Sequence, residues 1–591
     1  MEILRLFDLL PHYLEKYAWK TDALAEKDNG GWKKYSAQEY IDIVNNISYG
    51  FLKLGVNKDD KIATITYNRP EWNFLDMAIM QVGAIHVPIY PTVSESDYEY
   101  ILNHAEIKYL FVAGEELYRK IKHILPNIPS LKSIYTFKNL HGIEHLNELI
   151  ALGSENKNPS LLEEIKNGIK TEDLATIIYT SGTTGIPKGV MLSHRNIISN
   201  FWGVSNIPYF GSEAKALSFL PLCHVYERML NYMYQYLGFS IYYVQSLATI
   251  ADNMKEVQPD IMCAVPRVLE KFYDKIIATG RKLKGIKKYI FFWAVSIGKH
   301  YRIDGSNTFY YKIKLKIARK LVFSKWKAAF GSNIKIIVSG GASLQPKLAK
   351  ILWAAGIQVV EGYGLTETSP VITVGNFEPH GIKIGCVGTV LRGVEVKIAN
   401  DGEILCKGPN IMLGYYKDPE QTKQIIDEQG WFHTGDTGVF EKEGPLRITG
   451  RKKELFKTSF GKYIAPQLIE DKFKESSFID NMIVLGENQK YAAALIVPDF
   501  NHLRAWCEHK EIEYTTNEEM INLPRIKNRF LKEVKKYNHF LGSYEQIKKH
   551  ELLAGEWSQE SGELTPTLKL KRNIINKKYK ANIDKLFDLN N

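Results

Sequence analysis

The chain has 591 residues, 45% hydrophobic and 24% charged, which is ordinary globular usage and too long for a single core, so at least two domains are expected. Its five cysteines, Cys223, Cys263, Cys386, Cys406 and Cys507, are scattered and form no C-x-x-C pair, which argues against a disulfide framework or a zinc site and fits a reducing cytosol. The formal net charge is +11, yet residues 281–330 hold fourteen Lys and Arg against one acid, Asp304, so that segment carries +13 and the remaining chain −2; an anionic partner is suggested for one segment, not for the whole surface.

The first residues, MEILRLFDLLPHYLEKY, include Glu2 and Asp8 and lack a small-residue cleavage site. They predict an amphipathic helix rather than a signal peptide. No apolar run has the length of a membrane span; 77–90 comes nearest and is interrupted by His86 and Pro88. Up to about residue 170, strand and helix patterns alternate, with strands at 61–67, 85–89 and 109–112 and a helix at 71–83. That spacing predicts parallel α/β layers.

The β-branched run LATIIYT at 174–180 predicts a buried strand and leads into YTSGTTGIPKGV at 179–190. Gly182, Gly185 and Gly189 let backbone N–H groups approach an anion, the hydroxyls of Thr180, Ser181, Thr183 and Thr184 add short hydrogen bonds, and Lys188 adds a mobile charge. This is equipment for a polyphosphate. It is not a Walker A loop, because Lys188 is followed by Gly189. Ser193 then predicts the cap of a helix from His194.

In FLPLCHVY, 219–226, His224 is either a pocket-lining residue or a satisfied buried histidine. In AVPRVLE, 264–270, Arg267 is a candidate structural ion-pair residue. The basic segment contains YIFFWAVSI at 289–297 and lysines 312, 314 and 316. It reads as a solvated helical excursion or as a docking surface for anionic lipid, with Phe291, Phe292 and Trp293 inserting. It contains no recognised nucleic-acid module, so nucleic acid is not expected.

Strands predicted at 334–338 and 357–361 run into SGGAS (339–343) and GYGLTETS (362–369), glycine turns at the strand ends where α/β sheets hold ligands. A carboxylate such as Glu367 beside a polyphosphate needs a hard cation between them. After 384, short strands at 394–399, 403–407 and 438–441 predict a small β subdomain. GWFHTGD, 430–436, holds one carboxylate, Asp436, and a histidine, His433, expected only to pack. LRITGRKKE at 446–454, KTSFGKYIAP at 457–466 and LTPTLKLKR at 564–572 complete the set.

Taken in order, these motifs resemble those of the AMP-forming acyl-activating enzymes over essentially the whole chain. The resemblance implies an α/β fold. It has a large N-terminal domain of layered parallel sheets with helices plus a small β subdomain, 1–450, carrying the basic insertion 281–330. A smaller, mobile C-terminal α+β domain, 451–591, follows. By the same resemblance the 180–188 loop cradles the phosphates of ATP. Gly341 and Ala342 lie beside the adenine, Tyr363 stacks on it, and Gly362 and Gly364 belong to the same pocket. Thr366 contacts the α-phosphate, and Glu367 with Thr184 holds Mg²⁺. Asp436 and Arg451 reach the ribose from two sides, His224 lines the acyl pocket, and Lys453 is the hinge. The loop with Gly461 and Lys462 faces the pantetheine arm of coenzyme A. Lys569, three residues before Arg572, takes the place of the catalytic lysine. Leu568 stands where the family has glycine, which leaves Lys571 as second candidate; long-chain acyl-CoA synthetases of the eukaryotic type show a similar departure.

The implied activity is long-chain fatty acid–CoA ligation through an acyl-adenylate, with ATP, Mg²⁺ and coenzyme A. Two alternatives are a ligase that passes the acyl group to a carrier protein and a catalytically silent lipid-binding member. The expected location is cytoplasmic, with peripheral attachment at the inner membrane face if the basic segment docks. A homodimer is compatible with the sequence, and acyl chain length is not legible in it.

Overall fold

The computed structural model describes residues 2–181, 186–442, 444–565 and 569–587. Two extended sheets dominate the first three-quarters of the chain. In the eight-stranded one, Lys61–Ile65, Ile85–Ile89 and Ile107–Val112 run parallel, and Leu174–Ser181 joins beside Ile85–Ile89. Their apolar and largely buried sequences suit strands covered on both faces. The nine-stranded sheet carries Lys215–Ser218, Ile261–Ala264, Ile336–Ser339 and Gln358–Gly364 as parallel neighbours. One hydrophobic core runs between the layers from Leu6 to Phe432.

The predicted strands at 61–67, 85–89 and 174–180 are present with ends shifted by at most two residues, and the predicted helix 71–83 is Pro70–Gln81. Pro70 at its first turn loses no helical hydrogen bond there. Ser193 caps His194–Val204, its Oγ accepting the Asn196 N–H at 3.2 Å. The small β subdomain is a four-stranded antiparallel sheet that includes Glu403–Lys407, Phe432–Phe440 and Leu446–Arg451. The strand predicted at 438–441 is the end of a longer one.

A second, separate core spans Phe456 to Leu586. It packs the three-stranded sheet Ile479–Leu485, Ala492–Pro498 and Ile547–Leu552 against helices such as Pro466–Phe473 and Pro524–Asn538. The main core ends at Phe432 and this one begins at Phe456.

Residues 281–330 are helical: Gly285–Lys299, Phe309–Ala318 and Ser324–Ala329, with a π-turn at Arg319–Phe323. The aromatic run, read either as part of a solvated excursion or as inserting into lipid, is turned largely toward the main core. Phe291 is buried near Trp326, and Phe292 and Trp293 are half-buried against the main core. Removing Phe291 and parts of Phe292 and Trp293 from water against the core stabilises the fold by more than solvating them would. Among the described residues no helix is long and apolar enough to cross a membrane.

Candidate active site

The C-terminal ends of parallel strands from both sheets open into one cleft between the two cores. Its volume is about 4530 Å³, several times the roughly 300–1,000 Å³ of a site for one small ligand. It has room for more than one substrate at once.

One wall is the hairpin formed by Leu174–Ser181 and Pro187–Ser193, in which Thr180 pairs with Lys188. The strand after the tip returns antiparallel, so Thr180 and Lys188 face each other at the root of the loop. Gly182, Thr183, Thr184, Gly185 and the side chain of Ser181 lie outside the described residues. Burial lowers the Lys188 ammonium, and the nearby Lys453 adds to the effect. Across from it, Glu367 sits in a short 3₁₀ turn, Thr366–Thr368, and its carboxylate accepts the Tyr415 hydroxyl at 2.8 Å. Tyr415 reaches this point from Gly414–Tyr415, which pairs with Pro187–Ser193. Sequence reading missed it because nothing local marks it.

The second wall is glycine turns. Gly341 has φ +82°, and a Cβ on Gly364 would stand 1.7 Å from the Pro370 carbonyl oxygen, so the backbone comes closer there than any side chain permits. Ala342 and Gly362 line the same stretch, beside Tyr363. Ser343 donates to Asp471, a residue of the second core.

The Tyr363 hydroxyl donates to Asp436 Oδ2 at 2.8 Å, and Arg451 Nε meets Asp436 Oδ1 at 3.0 Å. Burial pushes the Asp436 carboxyl up, while Arg451 and Tyr363 oppose the shift. His433 lies 3.4 Å from Glu403, partly exposed.

Lys569 enters from the second core. Its backbone is tied to Thr565: the Thr565 N–H donates to the Lys569 carbonyl at 2.8 Å and the Lys569 N–H donates to Thr565 Oγ1 at 2.9 Å. Leu568 lies outside the described residues. The cleft walls desolvate the ammonium and bring its pKa down to about 8; Arg451 adds to the fall, and Asp436, Glu454 and Glu367 oppose it. The residue remains open to cleft solvent. Arg572 anchors this segment through Glu454 at 3.2 Å and Glu470 at 2.6 Å. Neither glutamate was singled out from sequence; the partners lie more than a hundred positions away.

His224 combines the two readings left open. It caps Val225–Leu237, its Nδ1 accepting the Tyr226 N–H at 3.2 Å, and it also lines the cleft. Burial, reinforced by Lys569, holds it neutral with a pKa of about 4. Arg267 pairs with Glu270 on its own helix and with Asp480 across the cleft. Lys453 is exposed in the turn that follows Leu446–Arg451. Gly461 and Lys462 stand on an exposed hairpin tip and do not line the cleft. Among the described residues no cluster of three metal-ligating His, Cys, Asp or Glu exists.

A glycine-edged cleft at the strand ends, floored by a carboxylate–guanidinium pair and entered by a desolvated lysine from a second core, is built for a nucleotide and an anionic co-substrate. The sequence profile of the AMP-binding enzymes matches residues 13–416, and that of the AMP-binding enzyme C-terminal domain matches 454–591. The chain belongs to the AMP-binding enzyme family. It is 32% identical to fatty acyl-CoA synthetase A of Dictyostelium discoideum over 96% of this chain and 87% of that one. It is 30% identical to a long-chain-fatty-acid–CoA ligase of Mycobacterium bovis over 95% and 93%, and 32% identical to the peroxisomal long chain acyl-CoA synthetase 7 of Arabidopsis thaliana over 99% and 87%. Among solved structures, the adenylation domain of a carboxylate reductase from Mycobacterium chelonae superposes with a TM-score of 0.79 at 21% identity, covering 99% of this chain and 91% of that one. An anthranilate CoA ligase bound to anthranoyl-AMP gives 0.72 at 18%, covering 98% of each. These two define the fold.

Proposed function

We infer that the protein is an AMP-forming long-chain fatty acid–CoA ligase. The acyl class rests on the named relatives, which match nearly the whole chain. The observation that carries the chemistry is the meeting of Lys569 with Asp436, Arg451 and His224 in one cleft.

In the first half-reaction a fatty carboxylate oxygen attacks the α-phosphorus of ATP, the bond to the β-phosphate oxygen breaks, and pyrophosphate leaves. An anion approaches an anion, so positive charge must be set in advance where the negative charge concentrates. Lys569 and Lys188 supply it from opposite sides. Asp436 accepts the ribose hydroxyls while Arg451 and Tyr363 hold its two oxygens. Gly341 and Ala342 leave space for the base beside Tyr363, and Thr366 donates to the α-phosphate. The donor set suits Mg²⁺, which takes oxygen ligands and only one or two protein carboxylates. Glu367 and Thr184 would hold it, and when bound it lowers repulsion among the phosphate oxygens. Neutral His224 borders the carboxylate without adding charge.

In the second half-reaction the thiol sulfur of coenzyme A attacks the acyl carbonyl and AMP leaves with the electrons of the mixed anhydride. In this reading Lys569 stands where the thiol has to approach. The part of the chain after Arg451 therefore turns about Lys453, withdrawing Lys569 and bringing in the hairpin with Gly461 and Lys462. Domains 1–450 and 451–591 move as the two bodies. Interface pairs such as Arg267–Asp480 and Ser343–Asp471 hold the first arrangement and must break for the second.

Pyrophosphate release across a fatty-acid length series, with and without coenzyme A, tests the reading. Release with long-chain acids, and acyl-CoA only when coenzyme A is present, is expected. Adenylation with transfer only to a carrier protein would replace the acceptor, and no release with any acid would leave a lipid-binding protein.

A further inference from the structure

We propose that helix Phe309–Ala318 and the π-turn after it form a docking face for an anionic lipid bilayer. The observation is a stripe of exposed apolar side chains at a spacing of four: Phe309 at 80%, Ile313 at 44%, Ile317 at 45% and Leu321 at 47% exposure. Residues four apart lie along one side of a helix. The opposite side already supplies the core, where Leu315, Ala318, Val322 and Phe323 are buried. This helix is therefore apolar on two faces, and a helix that only solvates the surface presents polar residues on the outer one.

The flanks of the stripe are basic. Lys312, Lys316 and Lys320 each precede an exposed apolar residue and run beside it as a second row. On the other flank, Lys314 Nζ lies 4.2 Å from the ring of Tyr310, which is 68% exposed. No acid occurs from Gly305 to Phe330. Just beyond, Lys335 pairs with Asp260 at 2.9 Å; the stripe's lysines have no acid within their own helix to neutralise them. The packed neighbour Gly285–Lys299 adds exposed Ile286 and Tyr289 beside Lys287 and Lys288.

An apolar stripe bordered by lysines is complementary to a bilayer: the side chains enter the acyl boundary while the ammonium groups reach the headgroup phosphates. Nucleic acid would use the charge and leave the stripe in water. The contact is peripheral. Its place makes sense for a fatty-acid ligase, because the cleft lining continues along Pro266–Lys282 to Arg281, Lys282 and Lys288, and Lys288 belongs to the helix Gly285–Lys299 that packs against this one. The proposal deepens the ligase reading, but binding itself does not depend on the chemistry.

The test is co-sedimentation of the full chain with phosphatidylcholine vesicles, with and without phosphatidylglycerol, at low and high salt. Duplex DNA and RNA serve as competitors. Lys312→Glu/Lys316→Glu/Lys320→Glu and Ile313→Ser/Ile317→Ser are compared with the parent. Binding should require phosphatidylglycerol and weaken with salt. Each reversed lysine, a change of two charges, should lower partitioning by about 30-fold. The serine pair should remove the salt-resistant remainder. Pyrophosphate release with a water-soluble medium-chain acid should be unchanged in both variants, which reports the fold separately. If the ligase reading fails, vesicle binding persists without turnover. Absence of binding to anionic vesicles at low salt, equal binding to neutral ones, indifference to both variants, or a preference for nucleic acid overturns the proposal.

Discussion

Asp436 and Arg451 stand directly opposite each other on two antiparallel strands, and their side chains meet at 3.0 Å. The ladder thus fixes the distance between the carboxylate proposed to read the ribose and the last residue before the proposed hinge. Removing the acceptor charge should weaken nucleotide binding by what a charged hydrogen bond contributes. Asp436→Asn should lower kcat/KM for ATP in pyrophosphate release by about 10- to 100-fold. An unchanged value would take Asp436 out of the nucleotide site.

Lys453 lies one residue beyond the Arg451–Lys452 step, exposed and free of a regular element. Proline there fixes φ near −65° and resists rotation. In Lys453→Pro, acyl-adenylate should still form while acyl-CoA production falls. Full turnover in the variant would move the hinge elsewhere.

A buried ionic network steadies the strand that leads to the proposed phosphate loop. Arg228 pairs with Asp76 and donates to Thr176 Oγ1 at 2.6 Å, while Asp76 Oδ1 also meets His86 Nδ1 at 2.7 Å. Thr176 lies on Leu174–Ser181. Burial alone would raise the Asp76 carboxyl, but Arg228 and His86 more than offset it. Arg228→Met leaves that charge uncompensated and should destabilise the larger part of the chain by about 3–5 kcal/mol, measured as an earlier unfolding transition in denaturant. A transition within a few tenths of the parent's would mean the network is dispensable.

The motifs were legible because each is a contiguous run whose glycines, hydroxyls and charges make sense together. YTSGTTGIPKGV suggests a polyphosphate site from its residue types alone, and GYGLTETS suggests a nucleotide pocket by its resemblance to the family's motif. Parallel layers followed from β-branched runs at regular spacing. What stayed hidden depends on contacts between distant positions. Tyr415 on Glu367, Glu454 and Glu470 on Arg572, and Asp480 on Arg267 have no local signature. The basic segment shows the same limit: its charge was evident, but its conspicuous aromatic run, Phe291 to Trp293, faces the core. The exposed stripe is a set of single residues four apart, legible only once the helix and its buried side are known.

The Lys569 ammonium has a pKa of about 8 in the free protein because the cleft walls around it, and then Arg451, disfavour its charge. A lowered lysine pKa means the cation is present below that value and lost as pH rises through it. kcat/KM for adenylation, which reports the free enzyme, should therefore fall above about pH 8. Lys569→Arg should retain charge and flatten that limb. A profile level to pH 10 in the parent would contradict the assignment.

The most direct measurement is the separation of the two half-reactions in Lys569→Ala. If this lysine serves only adenylate formation, pyrophosphate release should drop by about 10²- to 10³-fold, the usual effect of losing one group that stabilises transition-state charge. Conversion of supplied acyl-adenylate and coenzyme A to acyl-CoA should stay close to the parent rate. Equal loss in both halves, or a parent-like rate of pyrophosphate release, would contradict a cleft in which Lys569 enters for the first reaction and leaves for the second.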